Sequence, residues 1–272
     1  MGAAGVGFGG RVWIMRKRLY EWALTDVAVW TAGAVTVPIY ETSAASQVSW
    51  IVSGAGCAAV VLETPTHAAI LAQVRGDLPG LRDVWEIDAG GLDELRAAGT
   101  KITDEELEAR RGQINRADLA TIIYTSGTTG RPKGCLLTHD NFMALAENTA
   151  ERMKVVVSAE GAATLLFLPL AHVFARFVQV ICVQAGVRMG HTADIKNLLA
   201  DFATFSPTFI LSVPRVFEKI YNSSEQTATS QGRRKIFQMA AATAISWSSA
   251  HDDGRPGALL RAKHAVFDKL VY

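Results

Sequence analysis

From Tyr20 onward the sequence alternates segments of helical apolar spacing with short β-branched or apolar runs, separated by glycine and polar joints. A helix crossing over between consecutive strands makes those strands parallel. The alternation therefore predicts an α/β fold, a mostly parallel sheet flanked by helices on both faces. YEWALTDVAVWTAG reads as a helix closed by Gly33, VTVPIY as a strand, SAASQVSWIVSGAG as a helix with Val48, Ile51 and Val52 on one side, and CAAVVLE as a strand. THAAILAQVRGDLPG and RDVWEID repeat the pattern, residues 92–113 form a charged surface-helical region, and DLATIIYT is the next strand. Farther on, HDNFMALAENTAERM places Phe142, Leu145, Ala146 and Met153 on one helical face, and TLLFLPL suits a buried strand. HVFARFVQVICVQAG, VRMGHT, DIKNLLADFATFS and PTFILSVP continue as helix, strand, helix and strand, and the remainder reads as three helices.

Composition bounds what such a sheet serves. Hydrophobic residues make up 49% of the 272 positions and charged residues 19%, below the roughly 25% of an average soluble domain, so a large core is expected. The formal net charge of +1 provides no general attraction for nucleic acid, which is not an expected partner. Arg16-Lys17-Arg18 and Arg233-Arg234-Lys235 are local clusters, read as solvated helix ends, with an anionic ligand or a membrane surface as the alternative. Cys57, Cys135 and Cys182 are odd in number and far apart, which argues against a disulfide framework and for a reducing, cytoplasmic setting. The opening MGAAGVGFGG lacks the charge order of a secretory signal, and residues 1–10 are expected to be a disordered glycine-rich start. The most apolar stretch, TLLFLPLAHVFARFVQVICV, is broken by Pro169, His172 and Arg176 and does not read as a membrane span.

The chemistry concentrates in TIIYTSGTTGRPKGCLLTH, residues 121–139, which reads as a strand, a polar turn and a helix start. Gly127, Gly130 and Gly134 permit positive φ and close approach of backbone N–H groups to an anion. Thr125, Ser126, Thr128 and Thr129 add hydroxyls, Lys133 a mobile positive charge, and Pro132 stiffness just before it. A polar glycine-rich loop of arbitrary order is compatible with a plain turn. The ordered string TSGTTGRPKG is far more specific for a polyphosphate. It is not a Walker loop, because Pro132 precedes Lys133 and Gly134 follows it. Gly5, Gly7 and Gly10 match a dinucleotide fingerprint without a preceding strand, and Gly54, Gly56 and Ala59 match one between a helix and a strand, the reverse of the required order.

The loop resembles the phosphate-binding motif of the adenylate-forming superfamily of AMP-binding enzymes. RLYEWALTDVAVWTAGAVTVPIYET, TLLFLPLAHVFARFVQV and PTFILSVPRVFEKIY narrow the resemblance to the long-chain fatty acyl-CoA synthetases. It extends over about residues 11–272, read as one incomplete large AMP-binding domain without the small C-terminal domain. The resemblance implies that a fatty acid attacks ATP to give acyl-AMP and pyrophosphate, and that CoA then displaces AMP. It assigns residues 125–134 to the β and γ phosphates, Lys133 to the leaving pyrophosphate, Thr125 to Mg2+ and His172, in PLAHVF, to the acyl and adenylate pocket. A half-buried histidine satisfied by its neighbours is the alternative for His172, and core packing is the alternative to an acyl tunnel for Phe174, Phe177 and Val178. His67, His139, His191, His251 and His264 carry no metal-ligand spacing. The sequence contains no YGxTE or TGD motif, so the 272 residues alone are expected not to make acyl-CoA. A fatty acyl-AMP ligase or a non-catalytic phosphate-binding module are the competing functions, and peripheral contact with the inner membrane face is the added expectation for location.

Overall fold

The central strand of the molecule is the short run RVWIM, which the alternation beginning at Tyr20 passes over. In the computed structural model, which describes residues 2, 5–16, 20–125, 130–192, 194–252 and 254–271, with backbone alone for 269–271, this run is β1 (Arg11–Met15). Val12, Trp13, Ile14 and Met15 are all fully buried. Four consecutive buried apolar residues belong to a strand covered on both faces, not to one that alternates.

Around β1 the chain builds α1 (Tyr20–Thr31), β2 (Val35–Ile39), α2 (Ala45–Ala55), β3 (Ala59–Leu62), α3 (Pro65–Val74) and β4 (Asp83–Glu86). There follow α4 (Gly91–Gly99), α5 (Asp104–Arg111), β5 (Leu119–Thr125), β6 (Lys133–Thr138), α6 (His139–Arg152) and α7 (Lys154–Val157). The main sheet has the order β4-β3-β1-β2-β5-β6. Every neighbouring pair is parallel except β5 and β6. Trp13, Met15, Val37 and Leu62 pack against Val48, Ile51 and Val52 of α2 and Leu71 of α3. On the opposite face Ile14 and Ala120 meet Trp22 of α1, Phe142 and Ala146 of α6 and, farther along the chain, Val178. The expected mostly parallel sheet with helices on both faces is therefore present.

Several local readings change. Residues 121–139 were expected to pass from strand to helix through the loop; instead β6 pairs antiparallel with β5, and α6 starts only at His139. The helix waits for its cap: the Thr138 hydroxyl accepts the Asn141 N–H while the Asn141 side chain accepts the Thr138 N–H. Arg16 is no solvated helix end. It is buried, with Nη2 2.8 Å from a Glu21 carboxylate oxygen and 3.8 Å from Glu63. Nor are residues 5–10 loose, for Val6 is buried in the cluster with Val12 and Val29, and the Gly9 N–H donates to Gly33 O at 2.7 Å.

A second, two-stranded parallel sheet joins β7 (Ala163–Leu166) and β8 (Arg188–His191), separated by α8 (Val173–Ala185); α9 (Leu198–Phe205) follows. PTFILSVP forms no strand. Thr208 Oγ1 takes the Ala163 N–H at 2.9 Å, occupying with a side chain the donor that a backbone ladder would need. The chain divides into two compact units, Met1–Leu211 and Ser212–Tyr272. The second unit contains α10 (Pro214–Ser230), α11 (Arg234–Asp252) and α12 (Ala258–Val271). Arg233, Arg234 and Lys235 are exposed there, as read. Among the described residues no helix is long and apolar enough to cross a membrane.

The first unit is pinned by a buried polar knot. Arg176 of α8 and Asp26 of α1 are both wholly buried, with Arg176 Nη2 2.6 Å and Nε 3.2 Å from the two carboxylate oxygens. The Thr36 hydroxyl donates to Asp26 at 2.7 Å and Gln179 Nε2 at 3.2 Å; Arg176 Nη1 donates to the Thr121 hydroxyl, which donates to Thr36 O at 2.6 Å. The guanidinium also lies over Trp22, Trp30 and Phe142. Breaking a buried pair on one side strands the other charge, at a cost of about 3 to 5 kcal/mol. Asp26→Ala should lose stability on that scale in urea unfolding, and Asp26→Leu with Arg176→Met should lose distinctly less; a loss under about 1 kcal/mol for Asp26→Ala would contradict the account.

Candidate functional site

Thr125 and Lys133, the described ends of the expected phosphate loop, meet at the C-terminal end of β5, the edge where open α/β sheets place ligands. Thr125 ends β5 and Lys133 begins β6, and the two are direct partners across the antiparallel pair, both exposed. Facing residues share one side of the sheet, so hydroxyl and ammonium are delivered together. Ser126, Gly127, Thr128 and Thr129 lie outside the described residues.

The two described glycines of the motif serve different needs. Gly130 has φ of 100°, a conformation that a side chain resists. Gly134 is a matter of close approach instead: an added Cβ would stand 2.9 Å from Ile122 Cγ2 and 3.2 Å from Tyr124 Cζ.

His172 reaches the same edge from another element. It is exposed and caps α8, its Nδ1 accepting the Phe174 N–H at 3.4 Å. That bond puts the proton of a neutral imidazole on Nε2. A cavity of about 310 Å³ collects His172, Thr125, Pro132, Tyr124, Tyr40 and Ser43 among its lining residues. Lys133 is not part of that wall. Thr125 and His172 are thus brought to one cavity, while Lys133 stands beside Thr125 on the hairpin.

Sequence reasoning passed over Tyr40 and Tyr124. Burial pushes both phenols above their ordinary pKa, so each keeps its O–H as a donor at neutral pH. The available signal was position, since VTVPIY and DLATIIYT both end at the ligand edge of the sheet. Val178 is buried and Phe174 and Phe177 are half-buried against the α8 core, which fits packing in preference to a tunnel wall. Cys57 and Cys182 are buried free thiols pushed up to about 12 by desolvation, and Cys135 is an exposed free thiol on β6. Among the described residues no group of three His, Cys, Asp or Glu side chains converges on a metal position.

Gly134→Ala tests the hairpin directly. Overpacking against Ile122 and the Tyr124 ring should cost about 1 to 3 kcal/mol in urea unfolding and shift Tyr124. A substitution without loss of stability would show that the strand pair yields freely at Gly134.

Residues 1–256 match a protein family described as AMP-binding enzyme. The chain is 49% identical over 271 residues to Long-chain-fatty-acid--CoA ligase FadD15 of Mycobacterium bovis, a match covering 98% of this chain and 45% of that protein. It is 30% identical to Long-chain-fatty-acid--CoA ligase 5 of Rattus norvegicus, covering 93% and 38% respectively. The chain therefore spans less than half the length of either relative. Among solved structures, the inhibitor-bound N-terminal domain of FACL13 from Mycobacterium tuberculosis aligns with a TM-score of 0.63 at 23% identity, over 80% of this chain and 53% of that one. ATP-bound MatB from Rhodopseudomonas palustris aligns with a TM-score of 0.63 at 21% identity, over 81% and 42%. At such identities these two structures establish the shared fold alone.

Proposed function

The chain belongs to the AMP-binding enzyme family, and on that premise we propose that it supplies the ATP-gripping part of a long-chain fatty acid–CoA ligase. The observation that carries this reading is the pairing of Thr125 with Lys133 at the ligand edge of the sheet, with Gly130 at positive φ between them. The substrates are ATP, a long-chain fatty acid and CoA, in line with the names of the relatives at 49% and 30% identity. In this reading residues 1–10 are a lead-in and 11–272 are part of the large AMP-binding domain.

The chemistry asked of these residues is positioning and charge neutralisation. A transferring phosphorus centre needs preorganised donors around its oxygens more than a covalent group from the protein. The loop Thr125, Ser126, Gly127, Thr128, Thr129, Gly130 and Gly134 grips the β and γ phosphates, and Lys133 neutralises charge on the leaving pyrophosphate. His172 lines the cavity shared with Thr125, where it orients the acyl carboxylate and the adenylate. Magnesium would neutralise phosphate charge when bound. Thr125 offers it one exposed hydroxyl, and the phosphates themselves are its natural further ligands.

Three free cysteines support the proposal of a cytoplasmic setting. We further propose peripheral contact with an anionic inner membrane face through exposed Arg233, Arg234 and Lys235 beside exposed Ile236 and Met239. Co-sedimentation with phosphatidylserine vesicles should fall by at least about tenfold when the three basic residues become Gln, since each contributes roughly 1 kcal/mol at such a surface. Equal sedimentation of both proteins would dismiss the contact.

The functional reading itself is tested at Lys133. A charge-assisted hydrogen bond is worth roughly 1.5 to 3 kcal/mol, so Lys133→Ala should weaken Mg·ATP binding by about tenfold to a hundredfold in calorimetric titration. Unchanged affinity would remove the lysine from the phosphate site.

A further inference from the structure

We infer that Trp50 is a positioning residue that latches the phosphate loop at the point where it delivers Lys133, an inference that rests on the phosphate-gripping reading of residues 125–134. Trp50 lies on α2, far from the loop in sequence. Its indole N–H nevertheless donates to Pro132 O at 2.9 Å. The Arg131 guanidinium sits over the same ring, 4.6 Å from the centroid. One side chain thus holds the two residues that immediately precede Lys133.

The hydrogen bond matters because of what proline leaves undetermined. The ring of Pro132 fixes its φ and removes its N–H, so ψ is the remaining freedom, and the carbonyl direction defines ψ. With that carbonyl held by Trp50, both dihedrals of Pro132 are set, and with them the direction in which Lys133 leaves the loop. Upstream, Gly130 at φ 100° makes the turn into the latched pair.

The anchor is rigid. Val48, Ile51 and Val52 of α2 are buried in the core beneath the sheet, which holds the helix while Trp50 stays 41% exposed on its outer side. The same helix meets the other flank of the loop: a Cβ on Gly54 would stand 2.9 Å from the Tyr124 hydroxyl. Helix α2 is therefore a platform touching the chain just before Thr125 and just before Lys133. The two contacts on Trp50 also differ in kind. Arg131 makes an exposed cation–π contact that an incoming anion can draw away, whereas the Pro132 carbonyl has no attraction for phosphate and stays bound.

Calorimetric titration of the full chain with Mg·ATP, paired with thermal melts and intrinsic fluorescence, tests the latch. Trp50→Phe keeps the ring and loses the donor, and should weaken binding about threefold; Trp50→Ala loses both contacts and should weaken it about tenfold. Mg·ATP should change the fluorescence of the unaltered chain, and Trp50→Phe, which keeps the other tryptophans, should abolish most of that change. If both variants bind like the unaltered chain while Lys133→Ala binds more weakly, the latch is wrong and the phosphate reading stands. The latch is equally overturned if Trp50→Ala binds poorly only because its melting transition is lost while Trp50→Phe binds normally. If the unaltered chain does not bind Mg·ATP, or Lys133→Ala binds as well as it does, the phosphate reading falls and the latch with it.

Discussion

The architecture of the first unit depends on the buried pairing of Asp26 with Arg176. A guanidinium cannot shed its proton, so once α8 carries Arg176 into the interior the surroundings must supply acceptors. They come from three elements: Asp26 from α1, Thr121 from β5, and Thr36 from β2 through its hydroxyl on Asp26 and its carbonyl under Thr121. Trp22, Trp30 and Phe142 close over the guanidinium and exclude water. Apolar packing is tolerant of small shifts; a bidentate ion pair is not. The knot therefore fixes where α8 begins relative to β5, beyond what burial alone specifies.

That constraint reaches the site through the backbone. Thr121 is held four residues before Thr125 on β5, and Arg176 sits one helical turn after His172 at the cap of α8. Thr125 and His172 line one cavity, although they are on elements far apart in sequence. A site assembled from loop ends and helix caps needs such rigid backing, because loops have no packing of their own to hold geometry. On the other side of the hairpin, α2 performs the corresponding service through Trp50 and Pro132.

The readings that succeeded and those that failed separate on physical grounds. Alternating helix and strand segments were legible from Tyr20 to α9 because amphipathic spacing and apolar runs are local properties. β1 was not, since RVWIM follows a glycine-rich start and its four buried residues in a row have no period to detect. Arg16 departs from the rule that charge means exposure; Glu21 and Glu63 make its burial tolerable, and Glu63 is remote in sequence. The β6 strand was mistaken for the start of a helix because KGCLLT carries no strong preference, and its pairing with β5 supplies what propensity does not.

What the sequence determined by itself is the fold class and the kind of loop the sheet carries. The TSGTTGRPKG string sets residue types suited to a polyphosphate in one order, and the alternation of helices with strands points to a mostly parallel sheet. What only the tertiary structure decided is which side chains share a site and what holds them there. Thr125 faces Lys133 because a hairpin folds back in that register, His172 joins Thr125 because an ion pair buried between α1 and α8 sets the helix, and Trp50 reaches Pro132 because α2 lies beneath the loop. The pairing of Asp26 with Arg176 and the bond from Trp50 to Pro132 are contacts between residues distant along the chain. Their energies arise only when burial brings the partners together, so no local pattern records them.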